Sequence, residues 1–205
     1  RLSTGLAYSD EYDYTSIGFN ATLARDFNLK NTTLSLGFAY AADSIEPEGG
    51  IPIPFASTSL PFDQQRQGND DDKTVVDLLF GVTQVINRRT LMQVNYSYSQ
   101  SDGYLTEPFK LLSQVNGITG ETSGYVNDSR PDTREKHSVY WKTKYSRDNG
   151  DIIDVSYRYL WDDWDITSHT VDARYRLNFN GKFYVEPHIR YYNQEEAGFF
   201  AHTLV

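Results

Sequence analysis

Leu91-Met92-Gln93-Val94-Asn95-Tyr96-Ser97-Tyr98-Ser99 alternates apolar and polar residues along its whole length. Met92, Val94, Tyr96 and Tyr98 fall on one side; Gln93, Asn95, Ser97 and Ser99 fall on the other. Successive side chains of an extended chain point to opposite faces, so this stretch predicts a strand with one apolar and one wet face. The pattern recurs along the chain and yields nine strand candidates: 2–9, 14–25, 32–43, 73–86, 90–101, 137–147, 151–162, 166–178 and 183–193. Most exceed the usual soluble strand of about 5–6 residues and approach the 9–11 that cross a bilayer with tilt.

The connections sort by length. Four are tight: 26–31, 87–89, 148–150 and 179–182. The Asn-Gly pairs at 149–150 and 180–181 are hairpin signals, because both central residues of a type I′ turn need φ > 0. The alternate connections run over 10–13, 44–72, 102–136, 163–165 and from Gln194 onward, and two of them are long and rich in Gly, Pro, Asn and Asp. In bacterial outer-membrane barrels short turns face the periplasm and long loops face outside. The parity therefore predicts an antiparallel, up-and-down transmembrane β-barrel, with 1–205 as one partial barrel domain. A spanning sheet cannot leave an edge open in lipid, and bacterial barrels have even strand counts. Nine strands thus lead us to expect further strands at one or both ends.

Composition fits. Mean hydropathy is −0.59, and no run approaches the roughly 20 apolar residues of a membrane helix, but a barrel strand meets lipid only at every second residue. Cysteine is absent, which removes disulfide, zinc-thiolate and iron–sulfur chemistry. The net charge of −9 argues against nucleic acid as a partner.

Assigning faces gives an outward set without a charge: Ile17, Phe19, Ala21, Leu23; Leu34, Leu36, Phe38, Tyr40; Val76, Leu78, Phe80, Val82; Met92, Val94, Tyr96, Tyr98; Val139, Trp141, Thr143, Tyr145; Ile153, Val155, Tyr157, Tyr159, Trp161; Val171, Ala173, Tyr175, Leu177; Phe183, Val185, Ile189 and Tyr191. Its aromatics crowd the strand ends, as interfacial girdles do. The inner face of a soluble sandwich is the competing assignment.

The inward face is small or neutral on strands two to five (Ser16, Asn20, Thr22, Ser35, Gly37, Gly81, Thr83, Gln93, Asn95), apart from Asp77. On strands six to nine it carries Lys142, Lys144, Asp154, Arg158, Asp172, Arg174, Arg176, Glu186, His188 and Arg190. These charges could line a pore and select solutes, or form a salt-bridge ladder that stiffens a small barrel. Barrel width decides, since about 8 strands are plugged by side chains and 16 or more leave a channel.

Other candidates are weaker. Asp70, Asp71 and Asp72, and Asp162, Asp163 and Asp165, are oxygen-rich loop clusters that could attract Ca²⁺, without EF-hand spacing, or stand as solvated charge. Ser168 and His169 invite comparison with a lipase pair, but sequence neighbours on a strand face opposite ways. No catalytic residue, cofactor or firm metal site is assigned, and His188 beside Arg190 fits the polar wall. Pro187 inside a strand predicts a lost ladder bond with a bulge or bend.

Several phrases resemble the DUF3570 family: Tyr8-Ser9-Asp10-Glu11-Tyr12-Asp13-Tyr14; Gly81-Val82-Thr83-Gln84-Val85; Gln93 to Ser99 with Gly103-Tyr104-Leu105-Thr106; Asn127-Asp128-Ser129-Arg130-Pro131-Asp132; Tyr159-Leu160-Trp161-Asp162-Asp163-Trp164 with Ser168-His169-Thr170; and Pro187-His188-Ile189-Arg190-Tyr191-Tyr192. The resemblance implies a bacterial outer-membrane barrel of unassigned function, with a signal peptide and additional strands. It also implies gene neighbours encoding a small lipoprotein and a transferase that attaches FMN to proteins. The possible flavin-acceptor phrase of the family would precede Arg1, so no residue here takes that role.

Three functions follow as expectations. The first is a non-enzymatic porin-like channel or cell-envelope scaffold in the Gram-negative outer membrane, contacting lipid and lipopolysaccharide, with a small lipoprotein or an envelope complex as the candidate protein partner. The others are the barrel of a flavin-linked redox system and a soluble secreted carbohydrate-binding β domain.

Overall fold

A computed structural model describes residues 1–179, 181–201 and 203–204. The strands are β1 (Leu2–Glu11), β2 (Tyr14–Phe27), β3 (Thr32–Ile45), β4 (Ile51–Pro52), β5 (Arg66–Gly68), β6 (Asp71–Asn87), β7 (Thr90–Gly103), β8 (Leu111–Val115), β9 (Thr122–Asn127), β10 (Thr133–Ser146), β11 (Ile152–Asp162), β12 (Thr167–Phe179), β13 (Phe183–Val185) and β14 (His188–Gln194). Two short 3-10 turns are the only helical elements among the described residues, so no helix is long enough to cross a membrane.

The large sheet is antiparallel throughout, in the order β1-β2-β3-β6-β7-β10-β11-β12, with β13 and β14 both pairing β12. Those two are one strand in two pieces. Phe183 to Val185 and His188 to Gln194 hold the same register on β12, so Pro187 introduces neither a bulge nor a slip. Its missing N–H only interrupts the ladder, while its carbonyl still accepts the Tyr175 N–H at 3.1 Å. The sheet is therefore nine strands wide, β1 and β13/β14 are not paired with each other, and no closed barrel forms among the described residues.

All nine expected strands form, several one to three residues longer than their alternation suggests. At one end lie the short turns. Gly150 has φ +85°, yet Asn149 has no positive φ, so the 147–151 turn is not type I′. The Arg147 N–H reaches the Asp151 carbonyl and the Gly150 N–H the Arg147 carbonyl, a three-residue hairpin with glycine in the left-handed position. In the following turn Gly181 is left-handed, whereas Asn180 lies outside the described residues. The long connections lie at the opposite end, joined there by the two-residue turn Tyr12–Asp13.

The long connections are not open loops. β4 pairs β5, β8 pairs β9, and Asn127 stitches the two units together. Its side-chain amide donates to the carbonyls of Ile53 (3.1 Å) and Gln65 (3.4 Å), and its backbone N–H to that of Ala56 (3.1 Å). Among the described residues the buried hydrophobics are Ile51, Tyr104 and Val126 in the long connections and Trp164 in the β11–β12 turn at the same end. The apolar core is thus in this cap and not on the sheet.

Candidate functional site

Residues opposed across antiparallel strands share a face, so the register tests the face assignment directly. Leu36 opposes Leu23 and Phe80, Phe80 opposes Tyr96, Tyr96 opposes Val139, Val139 opposes Tyr159, and Val171 opposes Tyr157 and Tyr191. The alternation thus resolves into one apolar face across the whole sheet, which includes the aromatics Phe38, Tyr40, Phe80, Tyr96, Tyr98, Trp141, Tyr145, Tyr157, Tyr159, Trp161, Tyr175 and Tyr191. Among the described residues no element covers it. Ile17, Leu36 and Ile189 are 60%, 54% and 73% exposed.

Towards the cap, this face carries a run of rings. Tyr98 lies 5.2 Å from His137, His137 stacks on Trp161 at 5.1 Å, Trp161 on Tyr159 at 5.3 Å, and Tyr159 lies 5.0 Å from His169. The hydroxyls of Tyr96 and Tyr157 bond His137 Nδ1 (2.8 Å) and His169 Nδ1 (2.7 Å). Ser168 is buried on the other face, opposite Leu160, so it and His169 do not form a pair. His202 lies outside the described residues.

On the opposite, polar face the neutral half is closely fitted. A Cβ at Gly81 would stand 2.9 Å from Asn95 Oδ1, so the glycine makes room for the amide opposite. Asp77 lies in this half, across from Ala39 and Ser99. An ion pair not anticipated from the sequence sits near the cap: Asp43 accepts from Ser16 Oγ at 2.6 Å and meets Lys73 Nζ at 3.0 Å.

The charged half is organised in cross-strand rows. Lys142, Ser156, Asp172 and Arg190 form one; Lys144, Asp154, Arg174 and His188 the next; Tyr140, Arg158 and Thr170 the third. Asp154 takes Lys142 at 3.0 Å and Lys144 at 3.8 Å. Asp172 takes His188 Nε2 at 2.6 Å and Arg174 Nε at 3.4 Å, and Glu186 takes Arg176 Nε at 2.7 Å. Arg158 faces only the Tyr140 ring, 5.6 Å away, and neither it nor Arg190 has a carboxylate within ion-pair distance among the described residues. The bases outnumber the acids. Part of this wall is a salt-bridge ladder, and two arginines stand outside it.

Three of the six loop carboxylates, Asp162, Asp163 and Asp71, are committed. Asp162 Oδ2 receives Arg134 Nε and Nη2 at 2.9 and 2.5 Å, and Asp162 Oδ1 accepts the N–H groups of Trp164 and Ile166. Asp163 accepts the Glu135 N–H and Asp71 that of Asp72, while Asp165 adopts φ +62°. Among the described residues, no group of three or more acids and histidines is placed to hold a metal ion.

The cap leans to the polar side. Residues 104–109 line an open pocket of about 300 Å³ together with Tyr14, Ile45 and Lys73, three residues that the register puts on the polar face. Burial pushes the Tyr104 hydroxyl up to about 12, helped by Asp71 and Glu107. Sequence patterning could not reveal these pairings, because no alternation marks residues 104–132.

Such an arrangement defines an all-β protein with a broad two-faced antiparallel sheet and a folded cap at one end. The chain belongs to DUF3570, a family described as a protein of unknown function, whose model matches residues 1–205. No curated protein and no solved structure matches the chain.

Proposed function

We propose that this sheet is part of the wall of a non-enzymatic outer-membrane β-barrel that forms a porin-like channel, with the apolar face on lipid and the polar face on an aqueous lumen. The observation that carries it is the uncovered apolar face spanning every strand position of the sheet. Soluble monomers rarely expose apolar patches beyond a few hundred Å². The ring run near the cap suits the outer membrane–water interface, where Tyr and Trp meet headgroups and lipopolysaccharide.

Lipid does not tolerate unpaired strand edges. A closed barrel that includes a sheet already nine strands wide exceeds the roughly 8-strand barrel that side chains fill. The cap leans over the lumen mouth, as outward-facing loops of a channel do, and the short turns face the periplasm.

Planar-bilayer recording on the full-length protein tests the function. Stepwise ionic conductance is expected; a protein that stays soluble and monodisperse without detergent would overturn the reading.

A further inference from the structure

Ser156 and Thr170 are the short side chains at the centre of the charged rows. Around them stand Lys142, Arg158, Arg174 and Arg190, and together with Tyr140 and Asp172 these residues line a pit of about 380 Å³. One carboxylate lies among these four cations and is engaged by His188 and Arg174, while Lys142 is paired with Asp154 beside the pit. Arg158 and Arg190 keep donor capacity unspent on ion pairs. β11 and β14 are separated by β12 alone, so their backbones lie roughly 10 Å apart, within reach of two arginine side chains closing on one group. Guanidinium forks match the oxygens of phosphate in a bidentate manner, and hydroxyls on the floor supply further donors.

We propose that this pit binds the phosphate group of a dissolved phosphate or phosphoester and thereby makes the polar face selective for such anions. The binding site stands on its own residues; its role in selecting solutes rests on the channel reading above. The source is a solute and not a lipid headgroup, because the pit opens on the face opposite the apolar one.

Calorimetric titration of the detergent-solubilised full-length protein with inorganic phosphate at low ionic strength tests the site without needing a pore. Saturable binding is expected, weakened at least about tenfold in R158Q/R190Q and less in R158Q alone. A control on the neutral half, Gln93→Ser, should bind as the parent does. No saturable binding, or equal binding by the parent and R158Q/R190Q with unchanged circular dichroism, would overturn the proposal. Displacement of phosphate by micellar phosphatidic acid but not by a soluble phosphoester would overturn it too. Reversal potentials in bilayers separate the two levels. Conductance with unaltered anion preference in R158Q/R190Q refutes selection at the pit, whereas binding without conductance refutes the channel and leaves the site.

Discussion

Arg134 lays its guanidinium 4.4 Å over the Trp164 ring while both Nε and Nη2 bond Asp162. The Asp162 side chain is fully buried, and the Trp164 indole in turn donates to the Thr133 carbonyl at 2.9 Å. One carboxylate thus ties β10 to the β11–β12 connection. An amide in its place keeps an oxygen for the Trp164 and Ile166 N–H groups but turns an NH₂ towards the partly buried Arg134 cation and leaves it unpaired. Asp162→Asn should cost about 3 kcal/mol, read as a lowered unfolding midpoint with a shift in tryptophan emission. An unchanged midpoint would show that the pair is incidental.

Tyr104 has a buried hydroxyl with no hydrogen-bond partner among the described residues. Its folded ionisation lies at about 12 against an ordinary 10, so the folded state holds the proton more tightly. That contribution is complete below pH 10 and is lost as pH rises towards 12. Tyr104→Phe should be neutral or up to about 1 kcal/mol stabilising at pH 7 and should flatten the loss between pH 10 and 12. Thermal melts across that range check this.

Asp151 works in the opposite direction at the short-turn end. The Asn178 N–H, the Tyr175 hydroxyl and the Asn149 amide all donate to its carboxylate, which holds it below the usual carboxylate range. A depressed acid contributes stability above its unfolded ionisation near 3.8 and loses it as pH falls further. Asp151→Asn should therefore be less stable at neutral pH, with a smaller acid-induced decline than the parent in unfolding followed from pH 6 to 2.

Charge placed on the two faces should separate them. Phe80→Lys puts an ammonium on the apolar face between Leu36 and Tyr96; about 2–4 kcal/mol of destabilisation is expected near a bilayer midplane. Thr83→Lys on the polar face, opposite Gln93, should cost less than about 1 kcal/mol. Urea unfolding in lipid vesicles gives both values, and equal costs would remove the distinction.

Period-two alternation made the strands and their faces legible, because a one-residue error in register would have turned every apolar side chain over. β10 shows where that signal fades. Its first residues, Thr133-Arg134-Glu135-Lys136, lack the pattern, yet they pair with Ser99 to Asp102. The charges of the polar wall were legible as residues, but their division into paired and unpaired groups depends on rotamers and on the register with adjacent strands. The cap was not legible. Asn127 finds its partners at Ile53 and Gln65, contacts far apart in sequence that leave no local periodicity. Pro187 shows that a lost hydrogen bond need not shift a strand, since the flanking pairs hold the register.

The chain has no cysteine, so single cysteines at successive positions from Val94 to Ser99 can each carry a nitroxide in the full-length protein reconstituted into lipid. Collisional accessibility should alternate, with Val94, Tyr96 and Tyr98 favouring dissolved oxygen and Asn95, Ser97 and Ser99 favouring a water-soluble nickel complex. Equal access of the nickel complex to both sets would contradict a lipid-facing sheet.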